Sequence, residues 1–297
     1  MSGRARTVIE FAGEFGRQWS ADDVLRRSAA LAYYAMLSLA PLLVLAITIV
    51  GRFFGEEAVR GQLEGELTSV VGETSAQAVQ EMMKGAAKQA ASGWSAVTSG
   101  VLSLVGAAGV FREMKKALND MWETQDPPQV TWKFRVVSQV LPFGMVLATF
   151  LLLLASVLVA TALQFLQATV SSWVPISPVL WSWVGVAVGF AGETVLFALI
   201  FKVLPAAKFP WRDVWQGAAI TALLFEVGKW GLSLYLGRES MARGYGAASS
   251  VILLLMWCYY LSVIILTGAE FTQVWTRWHK GHGTRPEPLP ERTEPRM

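Results

Sequence analysis

Apolar residues in this chain fall into long blocks broken by short polar stretches. Six blocks reach the roughly 20 residues that a helix rising about 1.5 Å per residue needs to cross a bilayer. They cover approximately Ser28–Gly51, Ala91–Phe111, Val136–Leu163, Trp181–Phe201, Val214–Leu236 and Gly246–Thr272. The first exceeds the roughly 7–15 apolar residues of a signal peptide and is read as a retained helix, which Pro41 should kink. The second is the least hydrophobic, but it is free of charge and rich in small residues, which suits close helix contact. Its i+4 stripe of Ser95, Ser99, Ser103 and Ala107 is read as a packing face ahead of a pore lining. The pattern predicts an all-α polytopic membrane protein with six transmembrane helices.

The stretches between blocks carry weaker periodicities. Val8, Ile9, Phe11, Phe15 and Trp19 line one side of Arg6–Trp19, which predicts an amphipathic helix on the inner membrane surface. Residues 52–90 hold six glutamates and a second apolar face of Val79, Met82, Met83 and Ala86. That loop is expected to form helices that rest on the outer surface or cap the bundle. The end of the chain is Pro-rich and charged without an apolar face, the composition of a disordered tail. The organisation read from these patterns is an arm over 1–27, a transmembrane domain over 28–275 with a structured outer loop 52–90, and a tail over 276–297. No internal repeat is evident, so an inverted-repeat transporter architecture has no support.

Composition and charge sharpen this picture. Hydrophobic residues make up 54% of the 297 residues and charged ones 16%, and the mean hydropathy is +0.43, well above a typical soluble domain. The 13 tryptophans sit mostly at block edges, where an amphipathic ring prefers the membrane–water boundary. The single cysteine, Cys258, excludes an intrachain disulfide framework and is read as a small buried apolar residue. A pI near 9.0 would suit nucleic acid, but the basic residues are dispersed among loops rather than gathered in a patch. With the N-terminus placed inside, the arm carries five Lys or Arg, the second loop five, the fourth loop three and the tail five; the outer loops together carry six. That bias follows the positive-inside rule for six spans with both termini cytoplasmic.

Three charges lie near the middle of the spans, where each costs at least about 2.5–3.5 kcal/mol. In "LLFEVGKWGLSLYL", Glu226 and Lys229 are three residues apart and share a helix face with Ala219, Ala222 and Ser233. They are therefore expected to be coupled and to face the bundle interior or a water-filled cavity. In "WSWVGVAVGFAGETVLF", Gly185, Gly189 and Glu193 recur every four residues; the two glycines form a GxxxG ridge that lets a neighbouring helix approach. Glu193, Glu226 and Lys229 together make a candidate midplane polar centre, read either as a substrate or ion pathway or as an ion pair locking two helices. Secondary candidates are Tyr33, Ser38, Pro41 and Glu270. Tyr33 and Tyr34 are read as hydrogen-bonding inside the bundle or filling space there. Glu270 lies near the inner end of the sixth span, where it is expected to reach water.

Catalytic constellations are nearly absent. His279 and His282 are the two histidines, and they open the polar tail without carboxylate partners. No Walker A sequence, nucleophile elbow or dinucleotide fingerprint occurs, and no metal or cofactor is expected.

The segments "AALAYYAMLSLAPLLVL", "ALNDMW" and "YGAASSVILLLMWCYYLSVIILTGAEF" resemble the signature regions of the YihY/virulence factor BrkB family, in the family's order from Trp19 to Trp275. The resemblance implies a six-span bacterial inner-membrane protein with an envelope-related role and supplies no catalytic motif. A ribonuclease label once attached to some members finds no support in these residues. The expected function is a transporter or flippase-like permease for an amphiphilic or anionic envelope component. The alternative is a non-transporting scaffold for envelope assembly. The expected partners are the lipid bilayer and such a lipid-like or anionic substrate, with no nucleic acid and no signature that sets an oligomeric state.

Overall fold

The structure is a computed structural model and describes residues 3–55, 73–89, 109–122, 178–206, 209–236 and 249–279, with a few isolated positions between 57 and 68. Among these the secondary structure is helical, with no strand. The helices are α1 (Gly3–Ala21), α2 (Val24–Phe54), α3 (Glu73–Gln89), α4 (Pro178–Val203), α5 (Trp211–Leu236) and α6 (Ser249–His279). A further helical segment covers 109–121. The expected span over 136–163, the Ser95–Ala107 stripe, Ala86's side chain and His282 all lie outside the described residues.

Local chemistry accounts for the helix ends. Asp23 joins α1 to α2 at φ 49°, a left-handed conformation in which Asp is among the tolerated residues. Gly55, at φ 88°, terminates α2 in the way glycine ends many helices. Pro178 opens α4, where its missing N–H and fixed φ are suited to the first turn. The helix α2 runs unbroken through Pro41. Among the described residues, two helices contain stretches long and apolar enough to cross a membrane, Trp181–Val203 and Val251–Trp278.

Packing is concentrated at one end of the bundle. There, Val24 and Leu31 of α2, Leu118 and Met121 of the 109–121 segment, Phe197 and Phe201 of α4, Ala218 and Ala222 of α5 and Leu266 and Ala269 of α6 form one buried core with Trp122. The helix α1 lies against the same end. Phe11 meets Phe271, Trp275 and Trp278 edge-on at 5.5–5.8 Å, and the Trp19 indole donates to Thr267 Oγ1 at 3.0 Å. The start of the chain therefore sits beside the end of α6. Ile9, on the same apolar side of α1, is exposed.

At the opposite end, α3 packs its Val79 and Met83 against Leu43 and Ile47 of α2 and Leu254 of α6. Val79 is fully buried, so this helix, expected in the outer loop, is part of the bundle rather than a surface attachment.

Among the described residues, close helix approach occurs at a different place from the one the GxxxG spacing predicts. Gly185 and Gly189 are exposed, with no described heavy atom within 4 Å of where a Cβ would stand. The antiparallel helices α5 and α6 meet instead through a reciprocal pair. A Cβ at Gly217 would lie 1.8 Å from Thr272 Oγ1, and one at Gly268 would lie 1.7 Å from Thr221 Oγ1. Each threonine bonds back to the carbonyl four residues earlier at 2.8 Å, Thr221 to Gly217 and Thr272 to Gly268. The hydroxyls are thereby satisfied inside the apolar interface, which an unpaired hydroxyl would destabilise.

A candidate polar centre within the bundle

Glu193 lies on α4, and Glu226 and Lys229 lie one turn apart on α5. The two helices run antiparallel from the short turn at 204–210, which brings both mid-sections to the same level. That turn is closed by the Lys202 ammonium, which donates to the Phe209 carbonyl and stands 5.4 Å over the Trp211 ring.

The structure joins the three residues through the lysine. Lys229 Nζ donates to Glu193 Oε1 at 2.9 Å and to Glu226 Oε1 at 2.7 Å, and it stands 4.9 Å over the Phe225 ring. The side chains are 19% (Glu193), 32% (Glu226) and 27% (Lys229) exposed, so the centre is largely enclosed without being sealed. Glu193 Oε2 is buried and has no hydrogen-bond partner among the described residues. Two carboxylates face one ammonium, so the fully ionised centre carries one net negative charge. A buried acceptor left unsatisfied costs about 1–3 kcal/mol, more when charged, and such a group is suited to taking up a proton or a cation.

The secondary candidates divide differently. Ser38 is buried on α2, with its Oγ 3.3 Å from where a Cβ on Gly109 would stand, so it is a packing contact. Tyr33 and Tyr34 do not point into the bundle; both are exposed and meet edge-to-face at 5.8 Å. Glu270 does not reach water: it is fully buried, because Ala269, Thr272, Gln273, Val274 and Thr276 around it on α6 are buried as well. Its distance from the centre of the span does not bring solvent to it, since α6 is enclosed at this end. Cys258 is a free, buried thiol. Among the described residues, no group of three or more His, Cys, Asp or Glu side chains could hold a metal ion.

Two tying points were not singled out by their chemistry. In "ALNDMW", Asn119 Oδ1 accepts from the Ala206 N–H at 2.8 Å, Asp120 pairs with Arg27 at 3.0 Å and the Trp122 indole donates to the Ala269 carbonyl at 3.2 Å. Trp122 also meets Phe209 edge-on at 4.6 Å. This one turn therefore connects α2, the α4–α5 turn and α6 beneath the polar centre. Nearer the centre, Tyr260 of α6 donates to the Leu224 carbonyl at 2.6 Å. Its ring fills the space beside Gly228, where a Cβ would be 2.0 Å from Cε1. The sequence signal was available as a glycine between Glu226 and Lys229's neighbours, but only its partner reveals its purpose.

A family model described as virulence factor BrkB matches residues 15–293. A UPF0761 membrane protein of Alteromonas mediterranea is 30% identical over 88% of this chain and 85% of its own length. One of Pseudoalteromonas atlantica is 27% identical over 85% and 81% respectively. The UPF0761 membrane protein YihY of Shigella boydii is 29% identical over 61% of this chain and 62% of its own length. No solved structure matches the chain.

Proposed function

The chain belongs to the virulence factor BrkB family of membrane proteins, and from that premise we propose that it is a multi-pass permease of the bacterial inner membrane, passing an amphiphilic envelope component by the Glu193–Lys229–Glu226 centre. The observation that carries this reading is the centre itself. Three ionisable groups stand within apolar helices at a cost that intramembrane charges rarely bear without a functional role. They are linked at 2.9 and 2.7 Å yet stay between a fifth and a third exposed, as a pathway requires and a sealed structural ion pair does not.

The charge count revises the expected substrate. A centre with two carboxylates and one ammonium repels an anion, so its ligand is a proton or a cationic group rather than an anionic one. The reading is of a carrier without enzymatic chemistry. In this proposal the chain has six spans with both termini in the cytoplasm. The excess of Lys and Arg in alternate loops and the packing of α1 beside the end of α6 support it.

The scaffold reading draws on the same geometry, because Lys229–Glu193 ties α4 to α5. Glu193→Gln separates the two. The substitution keeps shape and hydrogen bonding while removing charge. Under the permease reading, complementation of an envelope-stress phenotype falls sharply at normal membrane abundance and unchanged melting temperature. Full complementation at normal abundance refutes a pathway role for Glu193, and loss in proportion to abundance assigns it to structure.

A further inference from the structure

The two halves of α4 differ in a way that its uniformly apolar sequence does not announce. Its second half is enclosed, with Phe197, Ala198, Ile200 and Phe201 all buried. In its first half, Ser182 through Ala187 are exposed without interruption. A helix packed along one side buries about every third or fourth residue, so six exposed residues in a row mean that this half has no described neighbour on any side. Trp183 is 68% exposed. On α5, Val227 and Trp230, which flank Lys229 at the level of Glu193, are exposed too, Trp230 by 68%. The exposed residues Trp183, Val184, Val186, Val227 and Trp230 are apolar, a surface that fits acyl chains and not an aqueous vestibule. Glu193 stands where the open half of α4 gives way to the enclosed half, between exposed Gly192 and buried Thr194. Below it the path is shut by Phe201, Leu204 and Trp122 packed in one core.

We infer that the Glu193–Lys229–Glu226 centre is a lateral binding site for the ammonium headgroup of a single- or double-chain amphiphile that enters from the bilayer with its chains along the exposed half of α4. The inference rests on the permease reading and adds the ligand class and the side of entry. Charge decides the headgroup. The centre has one carboxylate more than its lysine neutralises, and Glu193 Oε2 is an acceptor without a partner among the described residues. An ammonium group supplies the missing donors and the missing positive charge together. A sulfate or phosphate headgroup would add negative charge beside two carboxylates. Geometry decides the route, since among the described residues the apolar opening lies on one side of the centre and the aromatic core closes the other.

The test uses the full-length protein in phosphatidylcholine nanodiscs with two photoreactive probes, hexadecylammonium and hexadecyl sulfate, each carrying a diazirine in its chain. The ammonium probe should label the peptide containing Trp183–Val188 at least fivefold more than the sulfate probe. Unlabelled hexadecylammonium should compete, and hexadecyl sulfate should not. Glu193→Gln should reduce the labelling about tenfold, and Glu193→Asp should restore part of it. Equal labelling by both probes, or labelling that Glu193→Gln leaves unchanged, overturns the inference. If Glu193→Gln fails to fold, the wild-type competition decides alone. The permease reading fails separately, if Glu193→Gln abolishes labelling yet complements the envelope phenotype fully.

Discussion

Replacing Lys229 by methionine tests the electrostatics of the polar centre most directly. The substitution keeps an unbranched side chain one atom shorter and removes the one positive charge. Both carboxylate oxygens lie within 2.9 Å of the same Nζ, so they are no more than about 6 Å apart. At an effective dielectric of about 20, two negative charges at that separation repel by about 3 kcal/mol. Breaking a buried ion pair on one side costs about 3–5 kcal/mol; with side chains a fifth to a third exposed, screening brings the expected loss to about 2–4 kcal/mol. Glu226→Gln is expected to be far milder, because Glu193 still neutralises the lysine and a charged hydrogen bond becomes a neutral one, a change of about 1 kcal/mol.

The tertiary arrangement changes which combination should rescue. With Glu226 and Lys229 considered as an isolated pair, neutralising both would repair the damage. With Glu193 as the second acceptor, that double variant leaves Glu193 alone in an apolar surrounding and remains costly. Only Lys229→Met combined with Glu193→Gln and Glu226→Gln should recover most of the loss. The assay is unfolding of the purified protein by sodium dodecyl sulfate, followed by circular dichroism, for the singles, the double and the triple. A Lys229→Met variant as stable as Glu226→Gln, or a triple variant no better than Lys229→Met, would refute a three-member network.

Three further outcomes follow from other parts of the molecule. Reporter fusions at Gly3, Gly72, Gln125, Ser172, Lys208 and the tail should read in, out, in, out, in, in, and a periplasmic C-terminus would end the six-span topology. Gly268→Ala should destabilise by about 1–3 kcal/mol through overpacking, because its Cβ would meet Thr221 Oγ1 at 1.7 Å; adding Thr221→Ala should recover part of it in thermal melts, whereas a neutral Gly268→Ala would show that α5 and α6 do not approach there. Trp122→Phe removes the buried donor to the Ala269 carbonyl and should cost about 1–3 kcal/mol, while Asp120→Ala breaks a pair that is 27% and 48% exposed and should cost under about 1 kcal/mol. Equal losses for those two would contradict the burial difference on which the contrast rests.

The helices and the charged residues of the centre were legible in the sequence for a common reason. Long apolar blocks can satisfy their backbone groups only as helices within a membrane, and charges inside such blocks are costly enough to stand out. Glu226 and Lys229 could be paired on one face because i, i+3 spacing is a local property of the helix. The link to Glu193, 36 residues from Lys229, depended on the antiparallel packing of α4 and α5, which no spacing within one helix encodes.

Facing was the property that only the tertiary structure decided. In a span that is apolar all round, lipid-facing and protein-facing sides have similar composition, so periodicity cannot separate them. The GxxxG ridge at Gly185 and Gly189 put two glycines on one side without bringing a described neighbour to it, while Gly217 and Gly268, each spaced four residues from a threonine, received one another's partners. Tyr33 went to the exterior and Glu270 to a fully buried position, each against its expected environment. A residue's depth along a helix is set by counting in sequence, but its exposure is set by the other helices that surround it.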